Sequence, residues 1–320
     1  FMNSTGLAHH QFMAMGTRMD IILTELDSTI GRFVIAELSA VVEQVEQALS
    51  LYRESSALSQ LTMALANTHQ AFIEDEILLQ ALDFAKQMST LTSGLLDISL
   101  GAYIKANKDQ DITEHAIIPL NGGMENIIIN SDIQQVHVDR SGIQFDFGAL
   151  GKGIALDKCK AVLQRFDINN ALLSFGGSSI LALGHHPHGE HWPVSLAHPL
   201  NSNEQLNSFG LKDTCLSISS TILHKNNVDK PLRKHLFHPK SGVVSSMLKS
   251  TAVITSSAGI GEAFSTALLI ASPEEKLTLL RTANQVSNTN QVSNADQGLS
   301  PLLTGSDYIF NDDHYQQHNF

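Results

Sequence analysis

Apolar residues recur every three or four positions at Ile30, Val34, Leu38, Val41, Val45 and Ala48. That spacing predicts a long amphipathic helix over 30–48 with one buried face. Asp27 or Ser28 in front of it is of the type that caps a helix N-terminus. The same period predicts helices around 73–89 and over 258–271. It also predicts one after residue 150, where Ala155, Cys159, Val162, Leu163 and Phe166 share a face. Strand patterns cover 12–23, 127–129, 136–138 and 143–147, the last three as an antiparallel group. Residues 171–175 and 179–183 flank a glycine pair as a hairpin, and 243–254 reads as a further strand. Residues 106–125 read as an irregular connection, 185–191 as a loop with four histidines, and 201–208 as a polar linker. The segment Asn-Gln-Val-Ser-Asn occurs at 284–288 and again at 290–294. It predicts a mobile low-complexity loop at about 283–298. Strands and helices mix without a regular alternation, which gives an α+β fold class.

Composition narrows the function classes. At 320 residues the chain can bury roughly three quarters of its unfolded surface, enough for one large domain or two intimate lobes. Its net charge of −12 disfavours a nucleic-acid groove, which needs a basic stripe. No run of eighteen apolar residues predicts a transmembrane helix, and the first residues lack the basic and apolar regions of a signal peptide. The two cysteines, Cys159 and Cys215, supply neither a disulfide framework nor a zinc site. Cys159 falls on the apolar helix face and reads as core.

The densest chemistry lies at 145–157. A strand ending in Phe145-Asp146-Phe147 meets the glycine-rich turn Gly148-Ala149-Leu150-Gly151-Lys152-Gly153, and a helix follows. Backbone N–H groups at a helix start, beside a lysine, suit a phosphate. The order is neither a Walker A loop nor the Rossmann fingerprint. Many glycine turns only join a strand to a helix, so the turn alone leaves both readings open. Gly176-Gly177 forms a second tight turn about twenty residues on. Glu262 and Thr266 stand four apart on a predicted helix and share a face. A carboxylate and a hydroxyl there can reach one hard cation, or simply be solvated and packed. Histidines 9, 10, 185, 186, 188 and 191 form no ordered helical pair and read as solvated loop residues.

Seven segments in order resemble the ApbE family, the FAD:protein FMN transferases. They are Met15-Gly16-Thr17 in a predicted strand; Ser50-Leu51-Tyr52-Arg53 with Ser56, Leu58 and Leu61; Gly94-Leu95-Leu96-Asp97; the 146–157 turn with the Gly176-Gly177 pair; Trp192 and Val194 with Pro199; 235–242; and 262–268. They span nearly the whole chain. The resemblance implies a single ApbE-like domain over 1–320, with mixed, mostly antiparallel sheets and packed helices. Two intimate lobes would hold an FAD groove between them. It implies metal-dependent transfer of FMN from FAD to a threonine in a small-residue motif of a partner protein, with AMP released. FAD hydrolysis to FMN and AMP, or FAD binding without turnover, stand as alternatives. It assigns His235 as the acid–base group near the transferred phosphate. It assigns Met15, Tyr52, Leu95, Leu96, Asp97, Asp146, Lys152, Gly176, Gly177 and Phe237 to FAD. A Mg²⁺ or Ca²⁺ ion is assigned to the Ala149 carbonyl, Glu262 and Thr266. It places the protein in a bacterial cell envelope or periplasm, with a cytoplasmic location left open.

The chain also departs from the family pattern. Glu262 stands for Asp, so its longer carboxylate must fold back or the cation must shift. His238 stands for Asp in a turn, Thr62 for Asn, and 217–222 lacks a usual Gly-Asp-Tyr. Lys152 itself is expected to be exposed in the FAD-free protein, at a helix start that disfavours a cation on dipole grounds.

Overall fold

The structure is a computed structural model describing residues 2–3, 6–108, 123–140, 143–198, 204–221, 236–243, 247–290, 304–311 and 314–320. The first strands are β1 (Met2–Asn3), β2 (Leu7–Ala14) and β3 (Thr17–Leu23). Helices α1 (Ser28–Leu49) and α2 (Ala57–Leu65), strand β4 (Gln70–Phe72) and helices α3 (Glu76–Leu91) and α4 (Gly101–Lys108) follow. The middle holds β5 (Ile128–Asn130), β6 (Gln135–His137), α5 (Gly151–Arg165), β7 (Ala171–Phe175) and β8 (Ser179–Leu183). Next come β9 (Trp192–Ala197), β10 (Gln205–Leu211), β11 (Thr214–Ser220) and β12 (Leu248–Thr255). The last elements are α6 (Ala258–Ile270), α7 (Pro273–Asn290), β13 (Thr304–Asn311) and β14 (His314–Asn319).

Nine strands form one sheet in the order β1-β2-β3-β7-β8-β11-β12-β13-β14. Each neighbouring pair is antiparallel. The fold is α+β, as the sequence predicts. Central strand β8 is buried at all five positions, because both faces of the sheet are covered. Its Leu181 and Leu183 join the large core under α1, α3 and α5. Its Ile180 and Ala182 meet Trp192 and Tyr308 on the opposite face, which the β9–β10 hairpin covers. A continuous apolar run is what a strand buried on both faces requires. Helix α6 has eleven buried residues and packs on β11, β12 and α5. A helix apolar almost all round must be buried, and Glu262 is the carboxylate inside it.

Several elements differ from the sequence expectation. The 12–23 strand is a hairpin whose tip is Met15-Gly16, with φ of +50° and +73°. Two left-handed residues suit a two-residue hairpin loop. The second helix begins at Glu76 behind an Asp75 cap rather than at 73. Residues 143–147 alternate buried and half-buried, yet they make only one bridge among the described residues, Gln144 to Leu100, and it is parallel. Their alternation records burial of an extended segment, not a ladder. The predicted linker gives way to β10 from Gln205, where polar side chains occupy the outer face of a two-stranded hairpin. The predicted loop from 283 is helical through Asn290, so the first copy of the repeat lies in α7. Positions 291–298 lie outside the described residues.

Candidate active site

Asp146 N donates to Ile98 O (2.7 Å), and Gly148 N donates to the Asp146 Oδ1 carboxylate oxygen (2.7 Å). Together they turn the chain out of the extended segment and into α5. Leu150, at the N-cap, supplies no side-chain cap. The first turn of α5 therefore has N–H groups without intrahelical partners. One of them, Gly153 N, donates to Glu262 Oε2 at 2.8 Å. This approach needs glycine: a Cβ on Gly153 would meet Ala258 O at 2.6 Å and Gly259 Cα at 2.7 Å.

Glu262 is 5% exposed. Its Oε1 accepts from Ser179 Oγ at 2.6 Å and pairs with Lys152 Nζ at 3.1 Å. The arm that is longer than aspartate is used here, because it folds back onto α5 and β8. Lys152 departs from expectation. Its side chain is 22% exposed and ion-paired, not solvated. One turn on, Thr266 Oγ1 lies 3.1 Å from Ser219 Oγ, itself 2.8 Å from Ser265 Oγ.

A cavity of about 370 Å³ gathers most of the predicted residues. Ala149, Lys152, Glu262, Thr266, Asp146, Asp97, Leu95, Leu96, Tyr52 and Phe237 all line it. Burial raises the Asp97 carboxyl above its usual range; Ser99 donates to it (2.6 and 2.8 Å) and lowers it again, and Glu125 adds a further upward push. Phe237 is buried against Leu100, Tyr103 and Ile104, while Tyr52 is 83% exposed at the rim. Met15 lies outside this cavity. It lines a smaller one of about 160 Å³, which shares Tyr52, Asp146, Gly148 and Lys152 with the first.

Gly176 and Gly177 line neither cavity. Their φ angles of +56° and +74° turn β7 into β8 and so bring Ser179 beneath Glu262. His235 lies outside the described residues. His238, three residues on, keeps its turn: Nδ1 accepts from Lys240 N (3.2 Å) and Ser241 N (3.3 Å). Nε2 then faces the Glu275 carboxylate at 3.1 Å, so the ring supplies the acceptor expected of aspartate and ties the turn to α7.

Sequence reasoning missed Ser179, Ser219 and Glu46. Ser217 and Ser219 alternate along β11, a period-two polar signal facing α6. Ser179 follows the glycine pair directly. Glu46 Oε2 accepts from Met15 N at 3.0 Å and lies in the last turn of α1, where no local pattern points to a distant partner. Among the described residues no group of three or more His, Cys, Asp or Glu side chains could hold a metal ion. Any cation here would need mixed oxygen donors. No described helix is long and apolar enough to cross a membrane.

The sequence profile of the ApbE family matches residues 15–289. An FAD:protein FMN transferase of Buchnera aphidicola subsp. Schizaphis graminum is 23% identical over 242 residues, covering 72% of this chain and 70% of the relative. One from Klebsiella pneumoniae (strain 342) is 22% identical over 269 residues, covering 81% and 82%. The flavin transferase ApbE from Vibrio cholerae superposes with a TM-score of 0.74 at 18% identity, over 98% of this chain and 96% of that one. Pseudomonas stutzeri flavinyl transferase ApbE, apo form, gives 0.72 at 18%, over 99% and 96%. These two structures establish a shared fold.

Proposed function

We propose a function from a plain premise: the chain belongs to the ApbE family. It is a flavin transferase that moves FMN from FAD onto an acceptor protein. The observation that carries this reading is the single cavity that joins Asp146, Lys152, Glu262 and Thr266 to an apolar wall of Leu95, Leu96 and Phe237. An apolar slot beside a few convergent polar groups suits a flavin ring joined to a diphosphate. Lys152 would contact the diphosphate, and Tyr52 and Asp97 would border the ring.

In the transfer, a hydroxyl oxygen of the acceptor, a threonine by our reading, bonds to the phosphorus of the FMN half. The bond from that phosphorus to the AMP-side oxygen breaks, and AMP leaves with the electron pair. The hydroxyl proton passes to a base, the role we give His235. FMN stays on the acceptor as a phosphoester. Catalysis is then mostly positioning and charge neutralisation.

The donors fit a hard cation. Glu262, Thr266 and the Ala149 carbonyl all line the cavity, and oxygen ligands suit Mg²⁺ or Ca²⁺. A carboxylate offers about four lone-pair sites; Ser179, Lys152 and Gly153 engage three of them. When bound, the ion would neutralise diphosphate charge. Around it, Gly153 and Ser179 hold the carboxylate still, and Ser219 orients the Thr266 hydroxyl.

Incubation with FAD and Mg²⁺, with and without candidate acceptor proteins, followed by mass spectrometry, tests the reading. AMP release with FMN gained by an acceptor supports it. FMN and AMP formed equally without acceptor would make the protein a hydrolase, and intact FAD throughout would overturn both.

A further inference from the structure

Lys152 Nζ stands 3.1 Å from Glu262 Oε1, on the carboxylate that a divalent cation would need. The pair is mostly buried, with side chains 22% and 6% exposed. Two cations cannot share one buried carboxylate without strong repulsion. Glu262 itself cannot swing away to serve both, because Gly153 N and Ser179 Oγ fix it at 2.8 and 2.6 Å. Lys152 is the movable partner. Its ammonium ends a flexible four-carbon stem, it lines both cavities, and it starts from the first turn of α5, where the helix dipole disfavours a cation.

We infer that Lys152 and a divalent cation are alternative counter-ions of Glu262, and that an anionic diphosphate in the same cavity draws Lys152 off and opens the carboxylate to the cation. Withdrawal of the ammonium frees a lone pair on Oε1 beside the one left on Oε2, while the carboxylate keeps its two neutral donors. FAD and cation then bind with positive coupling, each favouring separation of the pair. The identity of the anion rests on the proposed function; the competition between lysine and cation does not.

The test is calorimetric titration of Mg²⁺ and of Ca²⁺, without FAD, into the protein and into Lys152→Met, which keeps most of the unbranched stem and removes the charged end. Lys152→Met is expected to bind the cation about tenfold or more tighter than the parent, within the usual range of coupling between sites. Lys152→Arg keeps the charge and is expected to stay as weak as the parent. Repeating the titrations with FAD present should tighten binding to the parent and change Lys152→Met much less. Melting curves establish that each variant is folded. Equal or weaker cation affinity in folded Lys152→Met overturns the inference, whatever the transfer assay gives. If neither protein binds a cation, with or without FAD, the inference fails together with the metal role. Flavin transfer is judged separately by mass spectrometry.

Discussion

Helices α5 and α6 each lend a carboxylate to the first turn of the other. Asp157 on α5 accepts from Ser257 Oγ (2.7 Å), Ala258 N (2.8 Å) and Gly259 N (2.9 Å). Glu262 on α6 accepts from Gly153 N, Ser179 Oγ and the Lys152 ammonium. The capping chemistry is the same: a carboxylate, half-buried at Asp157 and buried at Glu262, meets orphan N–H groups at the positive end of a helix. The surroundings differ. Asp157 has neutral hydrogen-bond donors, and burial raises its carboxyl above the usual range. Glu262 faces the large cavity and holds a cation that can leave. A carboxylate enclosed by neutral donors serves the fold. One with a spare lone pair, an exchangeable partner and a cavity in front of it is open to chemistry.

Gly153→Ala strikes both sites at once. The new Cβ meets backbone at 2.6 Å, and backbone cannot yield as a side-chain tip does. We expect a loss of about 3 kcal/mol or more, read as an earlier denaturant midpoint, with FAD binding lost in parallel. Asp157→Ala should cost about 2–3 kcal/mol, since three donors lose one acceptor. Well below its melting temperature, its FAD affinity should match the parent's. A parallel loss of FAD affinity would break the distinction between the two carboxylates.

Glu262→Gln should do the reverse. Its amide oxygen can still accept from Gly153 N while its NH2 group donates to Ser179 Oγ, so stability should fall by about 1–2 kcal/mol, while cation binding and turnover disappear. Turnover at the parent rate would show that the carboxylate is no ligand. His238→Ala removes the acceptor for Lys240 and Ser241. It should cost about 1 kcal/mol and weaken FAD binding through the displaced Phe237, measured by titration.

The smallest effect concerns Asp97. Its folded carboxyl titrates above 3.8 because burial, and then Glu125, oppose its charge. The folded protein therefore takes up this proton where the unfolded chain is still ionised. This contribution is fully present below pH 3.8 and is lost as pH rises through the folded value. Asp97→Asn should flatten the stability profile in that mildly acidic window, as followed by denaturant titrations across pH.

Much of this was legible in the chain. The α1 face and its Asp27 cap, the β7–β8 hairpin and the 148–153 turn are set by contacts within a few residues. Periodicity, caps and glycine φ preferences report such contacts directly. The sequence missed β10 because a two-stranded hairpin with a polar outer face carries no strong alternation. It misread 143–147 because alternate burial does not require a partner strand.

The state of Lys152 belongs to a different level. From residues 145–157 the sequence alone determined a turn, a helix start and a lysine there, which it left exposed in the FAD-free protein although the helix dipole disfavours a cation at that place. Only the tertiary structure decided otherwise, since Glu262 reaches that turn from 109 residues away. Placing it there takes the burial of α6 against the sheet, the close approach at Gly153 and a hairpin that puts Ser179 beneath the carboxylate. Local geometry is written in neighbouring residues, whereas the electrostatics of a buried pair depend on which distant charges the packing brings into contact.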